Sequence, residues 1–447
     1  RHKRHQKKAQ HNNNPTTIMI RTIIAITLGL SLGVLAQEQA QLPASTPPQT
    51  LKTEAAARYA SIRNEIIHSI ERGNDYLKSK QSPDGIWGSP AYPAMTALAC
   101  TATMRAPDQL GKPIPNFLKK SFNFILQSQK EDGSIYGRGL ASYNTSVCMM
   151  ALLAAHNPAY DQPLLKARAY LVKQQNHFAP DNPFNGGIGY GDKNSPPIAD
   201  LSNTSLALEA LHYSQQLAKD GKYGKQPDID WQAAIDFVSR CQSTPSSAKK
   251  PGVTSDPADQ GGFMYRPAPP PTITPSTTPT LAQNKQTQQG QGVQNDPKGQ
   301  GNRGDRNSRG GQKTPEPLRA YGSMTYAGIQ SLIYADLSKN DSRVQAALNW
   351  LSKNYSLTEN PGVGIDGLYY YYQAMSKALS AAGIDTLQLA DGSTIDWRQQ
   401  LAQQLVTIQK SDGSWVNTSN RWWETDPILV TAYCVLALEQ LYNSMPQ

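Results

Sequence analysis

Three carboxyl groups stand where they could do chemistry. Asp200 opens the run Asp200-Leu201-Ser202-Asn203-Thr204, and Glu424 and Asp426 follow the pair Trp422-Trp423. These three are the candidate catalytic residues. Two carboxyls flanking a glycosidic bond suffice for glycoside hydrolysis, one as acid and the other as nucleophile or base. Glu424 and Asp426 are close in sequence, so the facing partner would have to be Asp200 or Asp366. Trp422, Trp423 and the run Tyr369 to Tyr372 are aromatic platforms of the kind a sugar ring stacks on. The same carboxyls have a plainer use, because Asp, Ser, Asn and Thr ahead of a helix accept bonds from its first amides, worth roughly 0.5–2 kcal/mol. Metal chemistry has no local support: Cys-x-x-Cys, His-x-x-x-His, Asp-Asp and Asp-x-Cys are all missing from the chain. No metal and no cofactor is expected.

The elements that would position these groups repeat along the chain. One unit reads Arg72-Gly73-x-x-Tyr76-Leu77-x-x-x-Gln81-x-x-Asp84-Gly85-x-Trp87, a second Phe124-Ile125-x-x-x-Gln129-x-x-Asp132-Gly133-Ser-Ile135, and a last one Leu405-x-x-x-Gln409-x-x-Asp412-Gly413-Ser-Trp415. Weaker copies centre on Gln175, Gln242 and Tyr355. Each unit predicts an apolar helix ending at the Gln, a Gly-rich turn, and a second helix of small and apolar residues. The second helices are expected at 91–104, 141–156, 201–216, 322–336, 368–382 and 427–441. Six such hairpins can close on themselves, small residues such as Ala97, Ala99 and Ala151 suiting a crowded inner ring. The expected fold is all-α, an (α/α)6 toroid of six helix-hairpin repeats with a long disordered insertion. Inner-helix N-termini would then converge on one mouth and favour anions or polar ligands. Tyr143, Asp200, Ser202, Asn203, Thr204, Tyr321, Ser323, Thr325, Trp422 and Trp423 are the candidate ligand-binding rim.

The run at 72–87 is similar to the Gln-Trp repeat of squalene–hopene and oxidosqualene cyclases. Over about residues 59–442 the chain resembles the prenyltransferase/squalene oxidase repeat proteins, relatives of terpenoid cyclases and protein prenyltransferase β subunits. The resemblance implies the α/α toroid and a central cavity for an isoprenoid chain. The repeat residues Gln81, Trp87, Gln129, Gln409 and Trp415 have a structural reading: the Gln satisfies unpaired amides at the start of the next helix, and the Trp shields those bonds. Chemistry does not carry over as readily. A proton-initiated cyclase of this family needs Asp-x-Asp-Asp-Thr, with an unusually acidic central Asp. Here that central position is Ser202, followed by Asn203. The diphosphate-binding Asp-Asp and the zinc-binding Asp-x-Cys of the other relatives do not occur, nor does the Cys-Gly-Glu-Gln of thioester domains, and His156 and His212 sit at helix ends. The reading is a ligand- or partner-binding toroid lacking standard cyclase and prenyltransferase motifs. A terpene cyclase or prenyltransferase with a non-standard acid, and an (α/α)6 carbohydrate-active enzyme, stay as alternatives, so catalysis is left open. The central cavity would take an apolar isoprenoid or a polysaccharide.

With 447 residues, 38% of them hydrophobic, the chain can bury a large core, and no apolar run reaches the roughly 20 residues of a spanning helix. The formal charge of +9 sits mainly outside the repeats. Residues 1–36 hold six Lys/Arg and no acids, and 243–318 hold nine against five, which leaves the repeats near −1. A nucleic-acid partner is therefore not expected. Residues 1–36 read as a signal peptide cut before Gln37, or as a signal anchor through 22–36, the one segment expected to touch a membrane. The expected location is outside the cytoplasm: periplasm, envelope or secreted. Residues 37–55 read as a tether, 56–242 as repeats 1–3 and the start of 4, and 243–318 as a Pro/Gln/Gly-rich insertion with 260–266 ordered. Residues 319–447 complete the toroid. Four cysteines, Cys100, Cys148, Cys241 and Cys434, are expected as buried thiols.

Overall fold

The computed structural model describes residues 48–191, 198–269 and 317–445, with the side chains of 48–58 left out. Contacts divide the chain into two units, 1–50 and 51–447, and all that follows concerns the second, apart from the first three residues of its opening helix. The leader 1–36, most of the tether and residues 270–316 of the insertion lie outside the described residues. Two boundaries move. The first helix begins at Pro48, so 48–55 are helix and not tether. Residues 243–269 are also folded, with short 3-10 turns at Ser247–Lys249 and Pro257–Asp259.

The helices run in chain order as α1 (Pro48–Ser79), α2 (Pro93–Arg105), α3 (Lys119–Gln127), α4 (Ala141–Ala154), α5 (Asp161–Lys173), α6 (Leu201–Tyr213), the short α7 (Gln215–Lys219), α8 (Trp231–Arg240), α9 (Gly322–Tyr334), α10 (Ser342–Asn354), α11 (Leu368–Ala381), α12 (Trp397–Ile408) and α13 (Pro427–Ser444). A two-residue hairpin joins Leu387–Gln388 to Thr394–Ile395. All six expected second helices are present. They pack in sequence, α2 on α4, α4 on α6, α6 on α9, α9 on α11 and α11 on α13, and α13 returns to α2. That last contact closes the ring. Helices α3, α5, α8, α10 and α12 lie outside it, each against an inner helix. The inner helices are buried on nearly every side, with Ala97, Ala99, Ala151 and Ala437 fully covered, so small residues let them approach.

The glutamines latch one outer helix to the next. The Gln81 amide donates to the Gly85 carbonyl of its own turn (3.2 Å) and to the Phe117 carbonyl leading into α3 (3.0 Å). Gln129 donates to Gly133 (3.1 Å) and to Pro163 of α5 (2.8 Å), and Gln175 to Gly186 (3.1 Å) and Asp230 ahead of α8 (2.8 Å). Gln242 donates to Gly261 and Arg343 (both 2.8 Å), and Gln409 to Gly413 (2.9 Å) and Ser69 of α1 (3.0 Å). In the fifth unit Tyr355 takes over, its hydroxyl reaching Gln400 of α12 at 3.0 Å. The expected chemistry is thus inverted: the glutamine side chains give to carbonyls, and Gln175 alone of these five is seen also to accept, from the Asp230 amide (2.8 Å). Trp87 and Trp415 donate their indole N–H back to Leu77 (2.6 Å) and Leu405 (2.8 Å), fastening the last turn of α1 and α12.

Candidate functional site at the mouth of the inner ring

Every inner helix begins at the same end, and the residues just before them form a mouth: Tyr92, Leu140, Asp200, Tyr321, Gly367 and Asp426. A helix start leaves amides without intrahelical partners. Here the following repeat supplies the acceptors. Asn144 accepts from Ala94 of α2 (3.0 Å), Tyr190 O from Ser142 of α4 (2.9 Å), and Tyr265 O from Leu201 of α6 (2.8 Å). Pro361 O and Asn360 accept from Gly322 and Ser323 of α9 (2.8 and 2.9 Å). Glu424 accepts from Tyr369 and Tyr370 of α11 (3.3 and 2.8 Å). This relay occupies amides that the sequence offered as an anion site.

The three candidate catalytic carboxyls are all helix caps. Asp200 is buried. One oxygen accepts from the Asn203 amide and the other from the Asn203 side chain, both at 2.8 Å. Burial pushes its pKa from 3.8 up to about 6, against the lowering pull of the Asn203 bonds, Tyr265 and Arg266. Glu424 is fully buried, with a third bond from the Asn417 amide group (2.7 Å), and burial raises its pKa, with Asp366 adding to the rise. Asp426 accepts from Ile428 at 2.8 Å at the head of α13. Asp366, the other suggested partner, is bonded to Ser419 (2.5 Å) and lies 3.4 Å from Arg421.

Two rim residues leave the rim. Thr204 and Thr325 are fully buried and accept from the turn amides of Ile188 (2.9 Å) and Phe263 (3.0 Å). Thr96, Thr145 and Thr431 do the same for Trp87, Ile135 and Trp415, at 2.9–3.1 Å. Ser323, also buried, is tied to the Asn360 side chain (3.1 Å). Asn203 is bound to Asp200 as described.

The remaining rim residues meet across the ring. Ser202 of α6 comes near the Tyr370 hydroxyl of α11, although both helices pack on α9. Tyr143 of α4 comes near Tyr433 of α13, and the Tyr370 and Tyr433 rings lie 5.9 Å apart. Two turns deeper, Lys377 of α11 donates to Glu209 of α6 at 2.9 Å, with side-chain exposures of 15% and 2%. Tyr190, Tyr265, Arg266, Tyr433, Glu209 and Lys377 were missed from sequence. The signal for the last two was there: one acid in the apolar run Leu206–Leu211, and one Lys among the apolar and small residues of α11.

Trp422 and Trp423 have φ of 53° and 64°, two consecutive left-handed residues that are not glycine. Each such residue costs roughly 1–2 kcal/mol. Trp422 lies over Gly367, where an added Cβ would come within 2.6 Å of its ring, and parallel to Tyr321 (6.4 Å, 10°). The Arg421 guanidinium stands 4.5 Å from the Trp422 ring. Trp423 projects outward, 48% exposed, edge-on to Tyr92 at 5.2 Å.

At the other end of α6 a groove of about 640 Å³ is lined by His212, Tyr213, Gln215, Gln216, Lys219 and Asp220. His212 is packed rather than solvated, stacked on Tyr334 (4.9 Å) and bonded to its carbonyl (3.0 Å). Among the described residues no cluster of His, Cys, Asp and Glu could hold a metal, no helix is long and apolar enough to cross a membrane, and all four cysteines are buried free thiols.

The closed ring of six latched hairpins is an all-α (α/α)6 toroid. Solved structures similar to it include the type II terpene cyclase MstE from Scytonema without ligand, at 12% identity over 86% of this chain and 99% of that chain (TM-score 0.47). A variant of MstE in complex with its substrate geranylgeranyl dihydroxybenzoate is similar at 11% identity over the same shares (TM-score 0.48), and a protein from Actinoplanes at 13% over 84% and 99% (TM-score 0.43). The chain matches no family model and no curated protein. It is the ring itself, not these likenesses, that defines the fold.

Proposed function

We propose that this chain is an exported binding toroid that takes a ligand or partner at its mouth and does not perform cyclase or prenyltransferase chemistry. The observation that carries the reading is the state of the acid position. Ser202 stands where a proton donor would be needed, and the neighbouring carboxyl, Asp200, is held by Asn203 at both oxygens. An alkene needs a much stronger acid than a hydroxyl, with its proton free to leave. The side chains that meet across the ring, Tyr143 with Tyr433 and Glu209 with Lys377, also take up space that a folded polyene would need.

Incubation with squalene, followed by mass spectrometry of the extract, tests this. No cyclised product is expected. A cyclised product lost in Asp200→Asn would overturn the reading in favour of a cyclase with a non-standard acid. Export is checked separately, by fractionating cells and sequencing the N-terminus of the mature chain, which is expected to begin at Gln37 or to retain the 22–36 anchor.

A further inference from the structure

The segment 417–426 is pinned on both sides of its tryptophans. Asn417 donates its backbone N–H to Glu424 O (2.9 Å), Glu424 is buried under three side-chain bonds, Trp422 is wedged over Gly367, and Asp426 caps α13. Pinning of this kind could have been done with glycine at both left-handed positions. Instead the chain holds Trp423 there, a large apolar ring half out in water beside Tyr92, contributing little to the core. Strain retained at a residue that the fold does not need is a mark of a surface kept for binding. Polar groups of the same segment are equally fixed: Arg421, in the same 3-10 turn, faces Asp366, which Ser419 also holds.

We propose that this shelf binds the neutral pyranose rings of a glycan, with Trp423 as the stacking platform and Asp366 and Arg421 as partners for ring hydroxyls. The proposal rests on the binding-toroid reading and names its ligand. A pyranose presents an apolar face of C–H groups for an aromatic ring and an edge of hydroxyls that both give and accept hydrogen bonds. The shelf offers a ring, an acceptor and a donor. One carboxylate against one guanidinium leaves no net charge, which fits a neutral sugar better than a uronate. An isoprenoid would need enclosure from water, and a half-exposed ring does not enclose it.

The test uses the full chain, titrated with cellohexaose, xylohexaose and chitohexaose by calorimetry and tryptophan fluorescence, with decaproline as the competing class of ligand. The decisive variant is Trp423→Gly, which removes the ring and relieves the left-handed strain. Saturable binding of at least one hexasaccharide is expected, weakened tenfold or more in Trp423→Gly, while far-UV circular dichroism is unchanged and Tm is no lower than in the parent. Binding that Trp423→Gly leaves intact, failure of all three sugars to bind, or binding of decaproline in their place would each overturn it. Mass spectrometry of the same mixtures separates the two readings. Shortened oligosaccharides would sink the non-catalytic reading and leave the sugar shelf standing, whereas sugars neither bound nor cut would sink the shelf alone.

Discussion

Asp200 carries an unusual load for a capping residue. Its two oxygens are both used, yet it is buried deeply enough that its pKa rises from 3.8 to about 6. Folding raises this pKa, so the carboxyl's contribution to stability is present below pH 4 and is lost as pH rises through 6. The loss amounts to about 3 kcal/mol at full ionisation. Asp200→Asn keeps an acceptor for the Asn203 amide and cannot ionise. Urea unfolding at pH 4.5 and 7.5 should therefore show a stability that falls less between the two pH values than in the parent. An identical fall in both proteins would mean that Asp200 ionises freely in the fold. The Asp at this position was legible in the sequence as a cap or as a site, and the two readings differ only in what lies around it.

Between elements, the repeat works through paired residues, a glutamine that reaches forward and a glycine that lets the next helix come close. Gly133 has φ of 91°, and a Cβ there would sit 2.1 Å from the Lys166 carbonyl of α5. Gly111 has a similar φ of 73° but open space around it. Gly111→Ala should cost about 1 kcal/mol from backbone strain alone, and Gly133→Ala at least about 3 kcal/mol because α5 must also move. Thermal unfolding of the two variants checks this, and equal losses would show that close approach is not what the glycine serves. The spacing Gln-x-x-Asp-Gly was readable because it recurs. Of the five threonines that receive a turn amide, Thr204 and Thr325 were read as rim residues and Thr96, Thr145 and Thr431 were not assigned, since a Thr near a helix start reads equally well as a cap.

For the whole molecule, the ring is closed by α13 meeting α2 and braced inside by bonds between helices that do not adjoin. Lys377→Met would leave the Glu209 carboxylate buried without its partner, and should destabilise the fold by about 3–5 kcal/mol. The double variant Glu209→Leu with Lys377→Met should recover most of that, because a well-packed apolar pair needs no desolvated charge. Chemical denaturation of the single and double variants tests it. A double variant as unstable as the single one would mean that the pair gives more than mutual neutralisation.

Local spacing was enough to determine the six hairpins, their inner and outer roles and the twelve principal helices, because hydrophobic period and turn residues are short-range properties of the chain. That residue 202 is a Ser and not an Asp was equally a matter of identity and position. Tertiary structure alone decided that Glu424 caps a helix from a different repeat, that Thr204 and Thr325 face turns rather than the opening, and that Glu209 meets Lys377 across the ring. Those outcomes depend on which residues from distant repeats arrive at the same point. Closing the ring sets that, and no window of the sequence contains it.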